Sequence, residues 1–239
     1  MIKYIVLISS LVPLLFLACG TSDRNLANND QEAKAEKVVY KDGLNPRIAD
    51  YIKGKNYDDY KVATFAGGCF WCTEAAFERI EGVVDVISGY SGGKSEHPTY
   101  RQIGTGRSGH AEAIQIYYDP AIISYEVLLD IFFVAHNPTQ LNYQGPDRGP
   151  QYRSAVFYHN DIQKQLTEAA IKKGNDSGKY RDPIVTEVTK YDEFWVAEAY
   201  HQDYYPNNPQ NPYVQSVSRP KVEKVEKYFG DRLKASYKK

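Results

Sequence analysis

The chain has 239 residues, 42% of them hydrophobic and 25% charged, enough to bury one sizeable core as one domain or two small ones. Its 29 basic and 30 acidic residues are mixed along the sequence and leave a formal net charge of -1, so nothing marks a nucleic-acid partner. Three cysteines, Cys19, Cys69 and Cys72, are too few for a disulfide-stapled scaffold and are read one at a time.

Residues 1–18, "MIKYIVLISSLVPLLFLA", carry a charged start at Lys3, an apolar run and small Ala18, the pattern of a secretory signal rather than a membrane span. The ending "LFLAC" resembles a lipoprotein processing box, which makes Cys19 the expected lipidation site and new N-terminus. Residues 19–57 then read as a polar tether, poor in apolar side chains, and residues 58–239 as the folded domain. The expected location is therefore the cell envelope, with the exported protein held to a membrane by its lipid. Residues 19–239 contain no methionine, which suits exposure to oxidants but also fits chance depletion.

Lys61–Ala66 reads as a strand that ends at Gly67-Gly68, and Cys69–Ile80 as a helix with Phe70, Ala76, Phe77 and Ile80 at helical spacing. "VVDVISGYSGG" is a second strand and loop, and "AEAIQIYYD" alternates with strand periodicity. "SYEVLLDIFFVAH" is an amphipathic helix with Ser124 as N-cap and Asn137-Pro138 as its stop. After a polar loop come a strand at "RSAVFYH", a helix from Asp161 to about Lys173 and a strand at "PIVTEVTK". "FWVAEAYHQDYY" is expected to be helical, and "SRPKVEKVEKYFGDRLK" to be a closing amphipathic helix. The order of elements predicts a single α/β (α+β) domain, a two-layer sandwich of split βαβ (ferredoxin-like) type with extra C-terminal helices and loops.

Two patterns are set aside. "GTGRSG" satisfies G-x-G-x-x-G, but a loop precedes it and a strand follows, so it reads as a turn-rich loop. His110 and Glu112 in "HAE", with Cys69 and Cys72, could make a zinc-deaminase set; the order is reversed and a glycine precedes the first cysteine, so no metal is expected.

Cys69 follows two glycines and opens a helix, where amide groups and the helix dipole should lower its thiol pKa and raise its nucleophilicity. Cys72 lies one turn deeper, placed either to condense with an oxidised Cys69 or to serve as an inert buried side chain. C-x-x-C beside a βαβ pattern also allows a general thiol–disulfide oxidoreductase. Glu112 shares a strand face with Ile114 and Ile116, where an unpaired carboxylate is costly and neutralisation is the usual response.

The segments "GGCFWCTEAAFERIEGVVDVISGYSGG", "PTYRQIGTGRSGHAEA", "QYRSAVFY" and "AEAYHQDYY" together resemble the peptide methionine-S-sulfoxide reductase (MsrA) family from about Val62 to at least Pro212. The resemblance implies reduction of methionine-S-sulfoxide in proteins and as the free amino acid, without a metal or organic cofactor. It makes Cys69 the nucleophile that becomes a sulfenic acid. Phe70 and Trp71 match the aromatic pair that receives the substrate's methyl group. Tyr100, Glu112 and Tyr152 match the groups that bind and protonate the sulfoxide oxygen, with Asp147 in support. His201 and Tyr204 match residues near the pocket.

Many relatives carry glycine where this chain has Cys72, and a recycling cysteine where "NPYV" has Val214. With no cysteine after Cys72, that residue is expected to resolve the sulfenic acid, the resulting disulfide being opened by a thioredoxin-like reductant. Pro146 stands where relatives usually have asparagine, beside Asp147. The expected partners are oxidised proteins or peptides, the thioredoxin-like reductant and the membrane that takes the lipid; the protein itself is expected to be monomeric.

Overall fold

The computed structural model describes residues 56–238, so the expected signal segment, Cys19 and nearly all of the tether lie outside the described residues. Tyr57, at the end of that tether, already belongs to the fold: its ring stacks on Tyr117 at 3.8 Å and its hydroxyl bonds Asp85.

The strands are β1 (Lys61–Gly67), β2 (Val83–Ser91), β3 (Ala111–Tyr118), β4 (Tyr143–Gln144), β5 (Asp147–Arg148), β6 (Ser154–Tyr158), β7 (Glu187–Lys190) and β8 (Phe194–Val196). The helices are α1 (Phe70–Glu78), α2 (Tyr100–Gly104), α3 (Tyr125–Ala135), α4 (Asp161–Asp176), α5 (Tyr204–Asn207) and α6 (Arg219–Tyr228). Six strands form one sheet in the order β7-β6-β1-β3-β2-β8, while β4 and β5 make a separate small hairpin. β3 lies antiparallel between β1 and β2, which α1 connects, and β1 lies antiparallel between β3 and β6. That is the split βαβ arrangement expected from the order of elements.

Face assignments follow from the register. Phe65 packs against Phe77, Tyr125 and Phe132 of α1 and α3, and its cross-strand partner is Ile114. Directly opposed residues share a face, so Ile114, Ile116 and Glu112 point to the helix side, as do Ser88 and Tyr90 from β2. Every residue of β3 is buried, because as a central strand it is covered on both faces. The Arg79–Glu226 ion pair at 3.0 Å ties the end of α1 to α6.

Three elements differ from the sequence reading. "FWVAEAYHQDYY" is not one helix: β8 pairs antiparallel with β2, a 3₁₀ turn covers Ala199–His201, and only Tyr204–Asn207 is α-helical. Gly89 explains the override: a Cβ there would lie 2.4 Å from both the Phe194 ring and the Trp195 carbonyl, so its absence admits an edge strand. In "PIVTEVTK" only Glu187–Lys190 pairs, parallel to β6, because the N–H groups of Ile184 and Val185 are given to the Asn175 side chain and the Pro138 carbonyl. The closing helix is α6, entered through a π-helical turn at Val214–Ser218.

Candidate active site

β1 ends at Gly67, and the chain enters α1 through Gly68 and Cys69. Gly68 adopts φ +88, and a Cβ there would sit 2.6 Å from the Gln144 side chain, so glycine is required on both counts. Gln144 is pinned by two 3.0 Å bonds with the Asn137 backbone, accepting from its N–H and donating to its carbonyl. Cys69 occupies the N-cap position of α1 and is buried, as is Cys72 one turn further on. Both are free thiols.

Glu112 reaches the same helix start from β3. Its Oε2 accepts the Phe70 backbone N–H at 3.1 Å, and the residue is only 2% exposed. Burial pushes its carboxyl up to about 8, the Phe70 N–H opposing the rise while the charges of Asp147 and Cys72 add to it. Asp147 stands in the β4–β5 hairpin, whose tip is Gly145-Pro146, so proline is accommodated there. Tyr152 closes a 3₁₀ turn, and Tyr100 opens α2. Burial, then the Glu112 charge, drives both phenols far above the ordinary tyrosine range, so both remain O–H donors. The Cys69 charge raises both as well.

The thiols do not behave as the helix-start argument expects. Burial pushes the Cys69 thiol well above its usual value, and the neighbouring Cys72 and Glu112 push it further. Cys72 moves the other way, down to about 7, chiefly because the Cys69 thiol donates to it, against the cost of burial. A helix end is worth about 0.3–2 kcal/mol, whereas full burial shifts a pKa by up to about 3–5 units, so desolvation wins at Cys69.

The expected aromatic groups form one wall. Trp71 stacks on Tyr204 at 3.7 Å and donates its Nε1–H to His201 Nδ1 at 3.1 Å. His201 also contacts Phe70, at 5.0 Å, and Tyr100, at 4.3 Å between ring centroids. Burial holds the His201 imidazole down to about 4, Glu198 opposing, so at neutral pH it is an uncharged part of the wall.

Several contributors carry no signal in the sequence. Tyr213 donates to Asp147 at 2.5 Å with its hydroxyl beside the Cys69 sulfur, yet it is one of 21 tyrosines and lies far from both along the chain. Glu198 accepts the Tyr90 hydroxyl at 2.8 Å and the Tyr100 N–H at 3.0 Å, thereby setting the start of α2. Ser218 reaches the Cys72 Sγ at 3.2 Å. His110, considered as a zinc ligand, is instead committed to the Gly93 N–H and the Ser95 carbonyl. Among the described residues no three His, Cys, Asp or Glu side chains converge on a site that could hold a metal ion.

The family model described as "Peptide methionine sulfoxide reductase" matches residues 61–233. The chain belongs to that family. A "Peptide methionine sulfoxide reductase MsrA 1" from Rhodopirellula baltica is 51% identical over 193 residues, covering 81% of this chain and all of the relative. Among solved structures, reduced Mxr1 from Saccharomyces cerevisiae superimposes with a TM-score of 0.61 at 36% identity, covering 66% of this chain and 92% of that one. Methionine sulfoxide reductase A of Corynebacterium diphtheriae gives a TM-score of 0.57 at 32% identity, covering 63% and 76%. The matched span of this peptide methionine sulfoxide reductase family member contains every candidate site residue in the described part, from Cys69 to Tyr213.

Proposed function

We propose that this protein reduces methionine-S-sulfoxide, in proteins and as the free amino acid, to methionine. The observation that carries the reading is a buried Glu112, protonated up to about pH 8, bonded to the backbone of the residue after Cys69. A sulfoxide can surrender its oxygen only if that oxygen is protonated as it leaves; in this reading Glu112, which keeps its proton at neutral pH, supplies it. Tyr100 and Tyr152 keep their hydroxyl protons and steady the same oxygen, while Asp147 orients Tyr213 against the cysteine. The substrate's methyl group lies on the wall of Phe70 and Trp71, backed by His201 and Tyr204.

In the first step the Cys69 sulfur bonds to the sulfoxide sulfur; that adduct resolves with the oxygen on Cys69. The balance is Cys69–SH plus sulfoxide giving Cys69–SOH plus thioether, the enzyme sulfur losing the electron pair that the substrate sulfur gains. Cys72 then displaces the hydroxyl as water, leaving a Cys69–Cys72 disulfide. A thioredoxin-like dithiol reopens it, so the electrons come from thiols. Residues 1–18 serve as a lipoprotein signal and Cys19 carries the lipid, so the oxidised substrates are exported proteins of the cell envelope. The mass of the membrane-bound N-terminal peptide tests that location.

The pairing of Cys69 with a Cys72 thiol lowered to about 7 favours a second reading, general thiol–disulfide exchange on exported proteins. Incubation with separate S and R epimers of a methionine sulfoxide peptide and a small dithiol discriminates the two. Loss of the S epimer alone, abolished by Cys69→Ser and impaired by Glu112→Gln, supports sulfoxide reduction. No turnover of either epimer, with intact reduction of a test disulfide, would replace it with the second reading.

A further inference from the structure

α6 packs against α1, and its first turn stands beside Cys72. Ser218 and Lys221 are three residues apart and share a helix face. The Cys72 thiol donates to the Ser218 hydroxyl oxygen at 3.2 Å, and once the thiol ionises the same hydroxyl is placed to donate to the sulfur. On the same face, the Lys221 ammonium is buried and has no hydrogen-bond partner among the described residues. A charge taken from water and left alone costs several kcal/mol, so an anion nearby is its natural compensation.

The charge acts on three groups, Cys72, Glu112 and His136. His136 already spends both ring nitrogens, Nδ1 on the Phe132 carbonyl and Nε2 on Ser154, each at 2.7 Å, and burial keeps it neutral. Glu112 holds its proton and takes the Phe70 N–H. The Cys72 sulfur is the group left to answer the ammonium.

We propose that Lys221, with Ser218, holds Cys72 as the attacking thiolate of the resolving step, Lys221 being a positioning residue that acts through its charge. The proposal rests on the sulfoxide-reductase reading only for the name of that step. The Cys72 thiolate forms the S–S bond with Cys69, the S–O bond of the sulfenic acid breaks, and the oxygen leaves as water with the proton that Glu112 holds. Other groups face Cys72 from every side: Cys69 from the β1–α1 turn, Glu112 from β3, Asp147 from β5 and Tyr213 ahead of α6. In the reduced enzyme the Cys69 thiol, Lys221 and Ser218 favour the thiolate while burial and the Asp147 charge oppose it, and the balance brings Cys72 down to about 7; Glu112, holding its proton, adds no charge.

The test is a thiolate titration by ultraviolet absorbance on full-length Cys69→Ser protein, with Cys69→Ser/Cys72→Ser subtracted so that only Cys72 remains. Adding Lys221→Met should raise the midpoint by about one pH unit, which cuts the thiolate fraction at the original midpoint about fivefold. Lys221→Arg should restore it. In otherwise wild-type protein, disulfide formation after a single turnover should slow in the same proportion, with the Cys69 sulfenic acid captured by dimedone. An unchanged midpoint in Lys221→Met, or an equal rise in Lys221→Arg, overturns the proposal. Should Lys221→Met not fold, Ser218→Ala takes its place, and a midpoint that does not rise there overturns it too. The titration needs no substrate, so a failure of sulfoxide turnover would sink the functional reading without touching this one.

Discussion

Glu112→Gln should slow the enzyme and stabilise it. The neutral carboxyl and the amide are close in shape, and the amide oxygen can still accept the Phe70 N–H, so the exchange removes the transferable proton with little repacking. Loss of a positioned general acid costs about 10²–10⁴-fold in rate, or roughly 3–5 kcal/mol in the barrier. Stability moves the other way. The folded pKa of about 8 lies above the ordinary 4.5, so the native state binds the extra proton and stability falls as pH rises between those values. At about 1.36 kcal/mol per unit, Glu112 costs the native state about 3 kcal/mol at pH 7 and about 5 above pH 8. The side chain is fully buried, so solvent screening does not reduce these figures. Urea denaturation of both proteins at several pH values between 5 and 9 reads this directly, because the other buried acids, Glu74 and Glu78, are common to both and cancel in the difference. The stability gap should open with rising pH in favour of Gln. A gap that is flat with pH, or a variant less stable at pH 8, would refute the account of Glu112 as a carboxyl kept neutral by burial.

Cys72→Ala should release one equivalent of methionine at near-normal rate and then stall with a protein dithiol reductant, its steady-state rate falling at least about tenfold; mass spectrometry should find a dimedone adduct on Cys69. Normal turnover would make Cys72 an inert core residue. Tyr213→Phe deletes the hydroxyl that bridges Asp147 and Cys69, leaving the Asp147 oxygen without its 2.5 Å donor; kcat/KM should fall about tenfold and stability by about 1–3 kcal/mol, checked by kinetics and chemical denaturation. Gly68→Ala forces a Cβ into the left-handed region and 2.6 Å from Gln144, so thermal unfolding should show a loss of at least about 1–3 kcal/mol together with reduced activity.

The central architecture was legible because its signals are local and periodic. β1, β2, β3, α1, α3 and α4 each carry an apolar pattern or a punctuating glycine, and their order specifies the split βαβ plan. β8 was not legible: the apolar pattern of "FWVAEAYHQDYY" suits a helix, and what makes Phe194–Val196 a strand is the bare backbone of Gly89 more than a hundred residues earlier. The site divides in the same way. Cys69, Phe70 and Trp71 announce themselves at a strand–helix turn, and Glu112 by standing among isoleucines. Tyr213, Glu198, Ser218 and Lys221 come from the C-terminal third and matter only because α6 and the loops before it close over α1.

The thiol pair shows why such closure changes chemistry as well as shape. Considered alone, the start of α1 makes Cys69 the more acidic thiol. Once the C-terminal segment buries it, the proton stays on Cys69 and the lower pKa passes to Cys72, next to Ser218. In the mechanism proposed above, Cys69 gives up its proton as its sulfur attacks, and the sulfenic acid product again carries one, so the step draws no net proton from solvent. A more acidic Cys72 suits the recycling step proposed above, in which its thiolate attacks the Cys69 sulfenic acid. The two cysteines three residues apart are thus given different acidities by groups brought in from distant parts of the chain, β3 with Glu112 on one side and the α6 entrance on the other. If the C-terminal contacts set that division, replacing Ser218 or Lys221 should change the pH dependence of recycling more than that of sulfoxide reduction, and replacing Glu112 should do the reverse.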